Sequence, residues 1–280
     1  MQETLFERWL AGFFDAEGCV RVNKSVRRRH TTYSPRINIV NTDFYTVEVI
    51  AEYLRKIGIN HYIGSTDRKE SRAPRKNIEI GRIGKVLDFS NLVLPFSITK
   101  KSELILISKF CESRINKFDG FIRPAKIPYD EVEISLYDDL LFYKAHKKGK
   151  RCLSYTVIEK STCYNLDKAW FGGYIDGDGS FSLNRAGSPS FCVSSTSYPT
   201  YNTIVKFLAG EKIEHQYYSI LPAKNHLPNC KLRVHKICVN KTYDILKILD
   251  IVEPNLITKV KQASVMRTFC NSRVNRKGKK

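Results

Sequence analysis

The sequence lacks most of the features that mark secreted, membrane or zinc-finger proteins. No apolar run is long enough to span a bilayer, and the eight cysteines include no CxxC pair and no finger-like spacing. The N-terminal stretch MQETLFERWLAGFF has no basic segment ahead of its apolar residues, so no signal or transit peptide is predicted. We therefore expect an intracellular chain in a reducing compartment, with free thiols and no membrane partner.

Acidic residues are also scarce. The chain has 28 Asp and Glu against 47 Lys and Arg, which gives a formal net charge of +19. Such an excess argues against a typical metabolic enzyme and favours a polyanionic partner, with nucleic acid as the first candidate. Because 42% of the 280 residues are hydrophobic, the chain can still bury a substantial core.

The chain repeats itself. Three stretches recur in the same order at offsets of 161 or 159 residues, and they are LAGFFDAEG (10–18) with FGGYIDGDG (171–179), PFSITK (95–100) with PNLITK (254–259), and FCESRINK (110–117) with FCNSRVNR (269–276). Ordered matches at nearly constant offsets indicate a duplicated unit. We predict a first repeat over 1–117, a second over 165–280, and a linker over 118–164 that contains a short helix near 133–145.

Each repeat predicts the same order of elements: a helix, two strands, a helix, two strands and closing helices. The apolar helix of the repeated motif ends at a glycine, as helices commonly do. The following segments alternate apolar residues with polar or basic ones, which is typical of half-buried strands. The expected fold class is α+β, with pseudo-twofold duplicated αββαββα units and two antiparallel four-stranded sheets. One face of each sheet would be covered by helices and the other would be polar and basic.

The repeated helix also predicts how the two copies join. Gly12 and Ala16 lie four residues apart on one face, and Gly173 and Gly177 do so in the second copy. Small residues at this spacing let two helix backbones approach closely, so the two helices should pack on each other. If they pack in parallel, their C-terminal ends meet, and the acids there meet with them. Carboxylates are disfavoured at a negative helix end, and a divalent cation such as Mg²⁺ with oxygen ligands would remove the conflict.

LAGFFDAEG and FGGYIDGDG resemble the paired motifs of LAGLIDADG homing endonucleases, in the single-chain form with two copies. The resemblance covers both repeats, including the P-x-x-I-T-K echo. It implies an intron-homing, site-specific endonuclease that acts as a monomer on double-stranded DNA. With Mg²⁺ it would hydrolyse one phosphodiester per strand and leave 3′ overhangs. Two alternatives stay open: an intron maturase that binds RNA, and a relative that binds DNA without cutting it.

The resemblance implies a role for each matching residue. The last acid of each motif, Glu17 or Asp178, would be catalytic and bind metal. The main-chain carbonyls of Ala16 and Gly177 would help to bind the metal. The lysine that ends the repeated segments PFSITK and PNLITK, Lys100 or Lys259, would act in the same pocket. Lys101 competes for the lysine role, and the earlier acids Asp15 and Asp176 would be structural. The first copy has Glu17 where the second copy has Asp178, so unequal cutting rates of the two strands are expected. The candidates for positioning water are Asn41 or Thr42 and Ser195 or Thr196.

Recognition of bases is predicted on the polar faces of the sheets, because a two-stranded ribbon fits the major groove, where Arg reads guanine and Asn reads adenine. The candidates are Arg21, Asn23, Arg36, Asn38, Lys76 and Arg82 in the first repeat, and Ser182, Asn184, Arg185, Lys231, Arg233 and His235 in the second. Arg27, Arg28 and Arg29 lie at a hairpin tip and are predicted to contact phosphate. Many such contacts would make binding steeply dependent on salt.

Overall fold

The computed structural model describes residues 3–27, 30–66, 73–117, 127–147, 166–184, 187–220 and 233–277. Within these ranges, no helix is both long enough and apolar enough to cross a membrane. The chain divides into two compact units. One runs from Glu17 to Lys147, and the other joins the N-terminal residues up to Ala16 with the C-terminal half of the chain.

The first unit is built on one antiparallel sheet with the strand order β1-β2-β4-β3. The elements from the N-terminus are α1 (Glu3–Glu17), β1 (Gly18–Arg27), β2 (His30–Asn41), α2 (Phe44–Lys56), β3 (Tyr62–Thr66), β4 (Arg75–Ile80), α3 (Ile83–Val93), α4 (Lys101–Ile115) and α5 (Glu131–Lys147). All of α1 except its last residue belongs to the other unit.

The second unit repeats this pattern, with the strand order β5-β6-β8-β7. Its elements are α6 (Lys168–Asp178), β5 (Gly179–Leu183), β6 (Pro189–Ser195), α7 (Tyr198–Gly210), β7 (Gln216–Ile220), β8 (Val234–Val239), α8 (Thr242–Val252), a 3₁₀ turn (Glu253–Asn255) and α9 (Val260–Lys277). The predicted α+β class with two antiparallel four-stranded sheets is confirmed.

The alternation of residues along the strands decides which face of each sheet is buried. In the first sheet, Ile37 and Ile39 of β2 lie opposite Ile80 and Ile78 of β4, and all four side chains are buried. Each such burial contributes roughly 2 kcal/mol to stability. The second sheet has the same arrangement with Phe191, Val193, Ile237 and Val239. The residues between these positions therefore point to the opposite, polar face.

The helix expected within the linker is present as α5, which packs against α4. Arg114 and Glu133 form an ion pair at 3.5 Å, and their side chains are only 1% and 0% exposed. Arg114 also donates to the carbonyl oxygens of Ile127 (2.6 Å) and Pro128 (3.2 Å), and the Lys117 ammonium lies 2.7 Å from Glu133. The paired charges join α5 to the first unit, while the linker boundaries at 118 and 164 stay a prediction.

Replacing Glu133 by alanine is expected to destabilise the first unit by about 3–5 kcal/mol, because the Arg114 guanidinium would stay buried without its counter-charge. Urea unfolding followed by circular dichroism measures this change. Asp139→Ala, at an exposed acid on the same helix, is the matched control and should change stability by less than about 0.5 kcal/mol. Equal midpoints for the two variants would contradict a stabilising role for the buried pair.

Candidate active site and nucleic-acid interface

Two glycines allow α1 and α6 to pack closely. A Cβ atom added to Gly12 would lie 1.9 Å from the carbonyl oxygen of Trp170, and one added to Gly173 would lie 1.9 Å from that of Trp9. No real side-chain carbon comes so close to backbone, so only glycine permits this contact. The predicted close packing of the two repeated helices at Gly12 and Gly173 is confirmed.

The first acid of each motif is buried and binds the tryptophan of the other helix. The indole N–H of Trp9 donates to Asp176 at 2.9 Å, and that of Trp170 donates to Asp15 at 3.1 Å. Asp15 and Asp176 are 2% and 1% exposed. The reciprocal pairs satisfy polar groups that would otherwise be costly to bury. They join the helix ends and leave the last acid of each motif as the one that reaches the surface.

Asp176 also positions the lysine of the second repeat. Its carboxylate accepts the backbone N–H groups of Ile257 (2.7 Å) and Lys259 (2.8 Å), and burial raises its pKa. The Lys259 ammonium in turn donates to the carbonyl oxygens of Ile175 (2.8 Å), Asp176 (2.5 Å) and Gly177 (3.1 Å). These carbonyls lie in the last turn of α6, where the helix dipole is negative. Lys259 therefore offsets the negative potential beside the last acid.

Asp178 is exposed and ends α6. One turn earlier lies Tyr174, which is buried and whose hydroxyl donates to the carbonyl oxygen of Ser194 at 3.4 Å. Burial, and then the negative charge of Asp178, raise the pKa of Tyr174, so the phenol keeps its proton and remains a donor. In the first repeat, Phe13 occupies the corresponding position and has no hydroxyl. Sequence reasoning had not picked out Tyr174.

Glu17 is half-buried and ends α1. The side-chain amide of Asn41, at the end of β2, donates to Glu17 Oε1 at 3.4 Å. The Asn41 oxygen accepts the backbone N–H of Asp43 at 2.7 Å, and Asp43 caps α2 through the N–H of Thr46 at 2.8 Å. The turn between β2 and α2 thus orients Asn41 toward the carboxylate. Asn41 was a candidate for positioning water, and in this structure it contacts the acid directly.

Lys100 and Lys101 lie at the start of α4. The Lys100 carbonyl accepts the N–H of Leu104 at 2.9 Å, and both lysines are half-buried. Burial therefore does not distinguish them, and the choice between the two lysines stays a prediction.

Oxygen atoms dominate both helix ends. Among the residues that the structure describes, no three His, Cys, Asp or Glu side chains cluster as a ready-made metal site. Each helix end nevertheless offers one carboxylate and main-chain carbonyl oxygens, and hard divalent cations prefer such donors. A carbonyl has two lone pairs, so the hydrogen bond from Lys259 leaves Gly177 able to accept a second partner. The donors present fit a hard divalent ion.

An arginine pair anchored by one carboxylate marks the polar face of the first sheet. Arg21 of β1 lies directly opposite Arg36 of β2, and their guanidinium groups lie 3.0 and 3.5 Å from the two oxygens of Glu79 on β4. The Arg36 guanidinium covers Gly81, where an added Cβ would lie 1.5 Å from it. Glu79 and Gly81 were not predicted, although the alternation of β4 puts Glu79 on the polar face.

Other residues of the first repeat that were predicted to contact bases lie near this arginine pair. Asn23 is exposed on β1, and Arg82 is exposed at the start of α3. The side-chain oxygen of Asn38 is buried and has no hydrogen-bond partner within the described part of the chain. An open cleft of about 720 Å³ adjoins the pair, and its lining includes Arg36, Arg55, His61, Tyr62, Glu79 and Arg82.

Two residues that were predicted to contact bases, Lys76 and His235, lie on the helix-covered side of their strands. The prediction that they lie on the polar faces is therefore wrong. The Lys76 ammonium is 2.6 Å from Glu48 of α2. The His235 ring stacks on Tyr201 of α7, with ring centroids 5.1 Å apart, and its Nδ1 lies 2.8 Å from the Tyr217 hydroxyl. Burial lowers the pKa of His235. Both residues share the side of the buried isoleucines in their strands, so the period of two was the signal that would have placed them correctly.

The remaining candidates of the second repeat are placed differently from one another. Ser182 is exposed on β5, and the Asn184 side chain accepts the N–H of Ser188 at 2.9 Å in the turn before β6. Arg233 donates to the Ser219 hydroxyl at 2.7 Å. The predicted residues outside the described part of the chain are Arg28, Arg29, Arg185, Lys231 and the side chain of Arg27.

Comparisons with known proteins bear on this geometry. Residues 7–87 match the family model of the LAGLIDADG-like domain. No curated protein sequence matches the chain significantly. Similar solved structures include the LAGLIDADG homing endonuclease I-GzeII in complex with its DNA target, at 14% identity over 97% of this chain and 91% of that chain (TM-score 0.65). I-SmaMI bound to uncleaved DNA with calcium ions matches at 16% identity over 97% and 92% (TM-score 0.67). The meganuclease I-AabMI bound to uncleaved DNA matches at 16% over 98% and 92% (TM-score 0.64).

The resemblance inferred from the two motifs is confirmed. Residues 7–87 carry a LAGLIDADG-like domain, and nearly the whole chain has the fold of single-chain LAGLIDADG homing endonucleases. At 14% to 16% identity, the structural likeness establishes the fold.

Proposed function

We propose that the protein is a monomeric homing endonuclease that cuts double-stranded DNA at one long, asymmetric site. The observation that carries this proposal is the duplicated helix end, where α1 and α6 terminate in the acids Glu17 and Asp178 while the preceding acids are occupied by indoles. The charge of +19 supports a polyanionic substrate. Three relatives of the same fold are described as bound to DNA, one of them with calcium ions.

The acids, carbonyls and lysines of the helix ends would have different roles in phosphodiester hydrolysis. Glu17 and Asp178, with the carbonyls of Ala16 and Gly177, would hold divalent cations, for which we propose Mg²⁺. When bound, such an ion acidifies water and neutralises charge that develops on the phosphate. Lys259, already positioned at the end of α6, would stabilise negative charge on the reacting oxygens, and Lys100 would do so in the first repeat.

A neighbouring donor holds one of the acids in place, since the Asn41 amide fixes the orientation of Glu17. Hydrolysis would leave 5′ phosphate and 3′ hydroxyl ends with short 3′ overhangs. Because the two acids differ in length, we expect the two strands to be cut at unequal rates.

The two polar faces differ in a way that suits an asymmetric target. The first carries the arginine pair, whose guanidinium groups match the guanine edge. The second carries mostly hydroxyl and thiol groups on β5 and β6, with Lys236 on β8. Different groups on the two sheets would read different bases in the two half-sites. We propose the same reducing intracellular setting that the cysteine pattern predicts.

The test is cleavage of a random DNA library by the purified protein with Mg²⁺. We expect double-strand breaks at one enriched sequence, lost on chelation of the metal. Specific binding of duplex DNA without breaks would instead favour a non-cleaving relative. Binding of intron RNA with no cleavage of DNA would favour a maturase.

Glu79→Gln is expected to weaken discrimination between the target and single-mismatch duplexes by ~10-fold at the bases under the arginine pair, with little loss of total affinity. Glutamine has no charge and only one acceptor oxygen, so Arg21 and Arg36 lose their common anchor, while each good bidentate contact is worth ~1–3 kcal/mol. Competition binding with mismatched duplexes measures the ratio.

Glu48→Gln is the matched control, because it removes an ion pair with Lys76 on the helix-covered side. Its discrimination should equal that of the unmodified protein. If Glu79→Gln and Glu48→Gln discriminate equally well, Glu79 does not position the reading arginines.

A further inference from the structure

Two cysteines face each other across the centre of the second sheet. Cys192 of β6 and Cys238 of β8 are direct partners in the strand register, and their sulfur atoms are in contact at 2.7 Å as free thiols. The next pair along the same face is Ser194 with Lys236, so the thiols lie on the polar side of the sheet. Cys192 is half-exposed and Cys238 is buried.

The register alone brings these thiols within bonding reach. Residues directly opposite each other in an antiparallel pair have Cα atoms ~4.5–5.5 Å apart, and disulfides bridge Cα separations of ~4.4–6.8 Å. The strands therefore need no large movement to allow a bond. The other described thiols lack such a partner in their elements: Cys19 lies opposite Asn38 on β2, and Cys111 and Cys270 are buried on α4 and α9.

We propose that Cys192 and Cys238 form an oxidisable dithiol that closes to an intramolecular disulfide on the polar face of the second sheet, with a small-molecule disulfide such as glutathione disulfide as oxidant. The site is separate from the acids and lysines of the helix ends. It rests on strand register and thiol chemistry, and so it stands or falls independently of the proposed cleavage of DNA.

The two thiols take different parts in the reaction. Burial, and then the neighbouring Cys192, raise the pKa of Cys238 to about 12, so Cys238 keeps its proton longer and the more exposed Cys192 attacks first. The Cys192 thiolate attacks one sulfur of glutathione disulfide and forms a mixed disulfide, which releases one glutathione that takes up a proton. Cys238 then loses its proton and attacks the Cys192 sulfur, which releases the second glutathione. Two protein thiols are oxidised by two electrons, and one glutathione disulfide is reduced to two thiols.

The disulfide would change the stability of the second sheet. It would join the two central strands across 46 residues of chain and restrict the unfolded ensemble. It would also hold β6 against β8 on the face that carries Ser194 and Lys236. Reduction by excess glutathione would restore both thiols.

The test uses the full chain, incubated with glutathione disulfide, alkylated and digested with trypsin without reduction. Cleavage after Arg and Lys yields the peptides 186–206 and 237–241, each with one cysteine. We expect them to be recovered as one cross-linked species that excess reduced glutathione abolishes. Cys19→Ser is the control and should retain the cross-link. Recovery of the two peptides unlinked, with either cysteine alkylated or carrying glutathione while Cys19 is fully oxidised, would overturn the proposal.

A second measurement follows the stability of the folded protein. Thermal unfolding of the oxidised and reduced protein should differ, with a Tm higher by roughly 5 °C or more after oxidation. The Cys192→Ser variant should unfold at the same temperature in both states. An equal Tm for oxidised and reduced unmodified protein would contradict the formation of an intramolecular disulfide.

Discussion

Asp178→Asn and Glu17→Gln should each lower DNA cleavage by at least ~10²–10³-fold while leaving DNA affinity nearly unchanged. Each change keeps the size of the side chain and removes the negative oxygen that would hold the cation beside the phosphate. Rates of strand cleavage at saturating protein, together with binding measured with calcium in place of magnesium, separate the two effects.

Glu52→Gln, at an exposed acid of α2, is the control for a general loss of negative charge and should cut at the unmodified rate. A double variant at Glu17 and Asp178 that still cuts would refute the assignment of both acids. Loss of binding in parallel with cleavage would instead point to a fault in folding or docking. Asp178→Asn and Glu17→Gln should also differ from each other in which strand is affected more, since the two acids belong to different repeats.

Gly12→Ala is expected to lower the free energy of unfolding by ~3 kcal/mol or more. The new Cβ would lie 1.9 Å from the Trp170 carbonyl oxygen, which is backbone and cannot turn away. The helices α1 and α6 would have to separate, and the bonds of Trp9 to Asp176 and of Trp170 to Asp15 would weaken with them.

Gly84→Ala provides the matched control, because Gly84 lies in α3 and an added Cβ there meets nothing within 4 Å. Alanine should be neutral or raise stability, by up to ~1 kcal/mol, through its higher helix propensity. Urea unfolding should thus give opposite signs for the same chemical change at two helical glycines. A common sign and size would mean that close packing at Gly12 is not what requires glycine.

Much of the fold was predictable because its signals are local and periodic. The alternation of Ile37 and Ile39 with polar neighbours indicates a half-buried strand, and the duplication predicts that the same order of helices and strands occurs twice. The glycines at 12 and 173 predict a close helix contact because steric exclusion needs no knowledge of the partner's rotamers. The hydrogen bonds of Trp9 to Asp176 and of Trp170 to Asp15 were not predictable, since they depend on side-chain directions across two helices that are distant in sequence.

The candidate site was harder to predict because residue type was a poor guide to strand face. Lys76 was chosen for its charge, but it shares the side of Ile78 and reaches Glu48. Its long apolar stem tolerates the helix-covered side while the ammonium remains paired. Glu79 was overlooked because an acid on a basic surface looks unfavourable until its two arginine partners are known.

The pairing of Trp9 with Asp176 has a consequence for the synthesis of the chain. The two residues are 167 positions apart, so at ribosomal rates of ~5–20 residues per second Trp9 emerges roughly 10 to 30 s before its partner exists. During that interval the Trp9 indole lacks its native acceptor, and α1 lacks the helix against which its backbone packs. The nascent chain is therefore expected to depend on chaperones until α6 has left the ribosome.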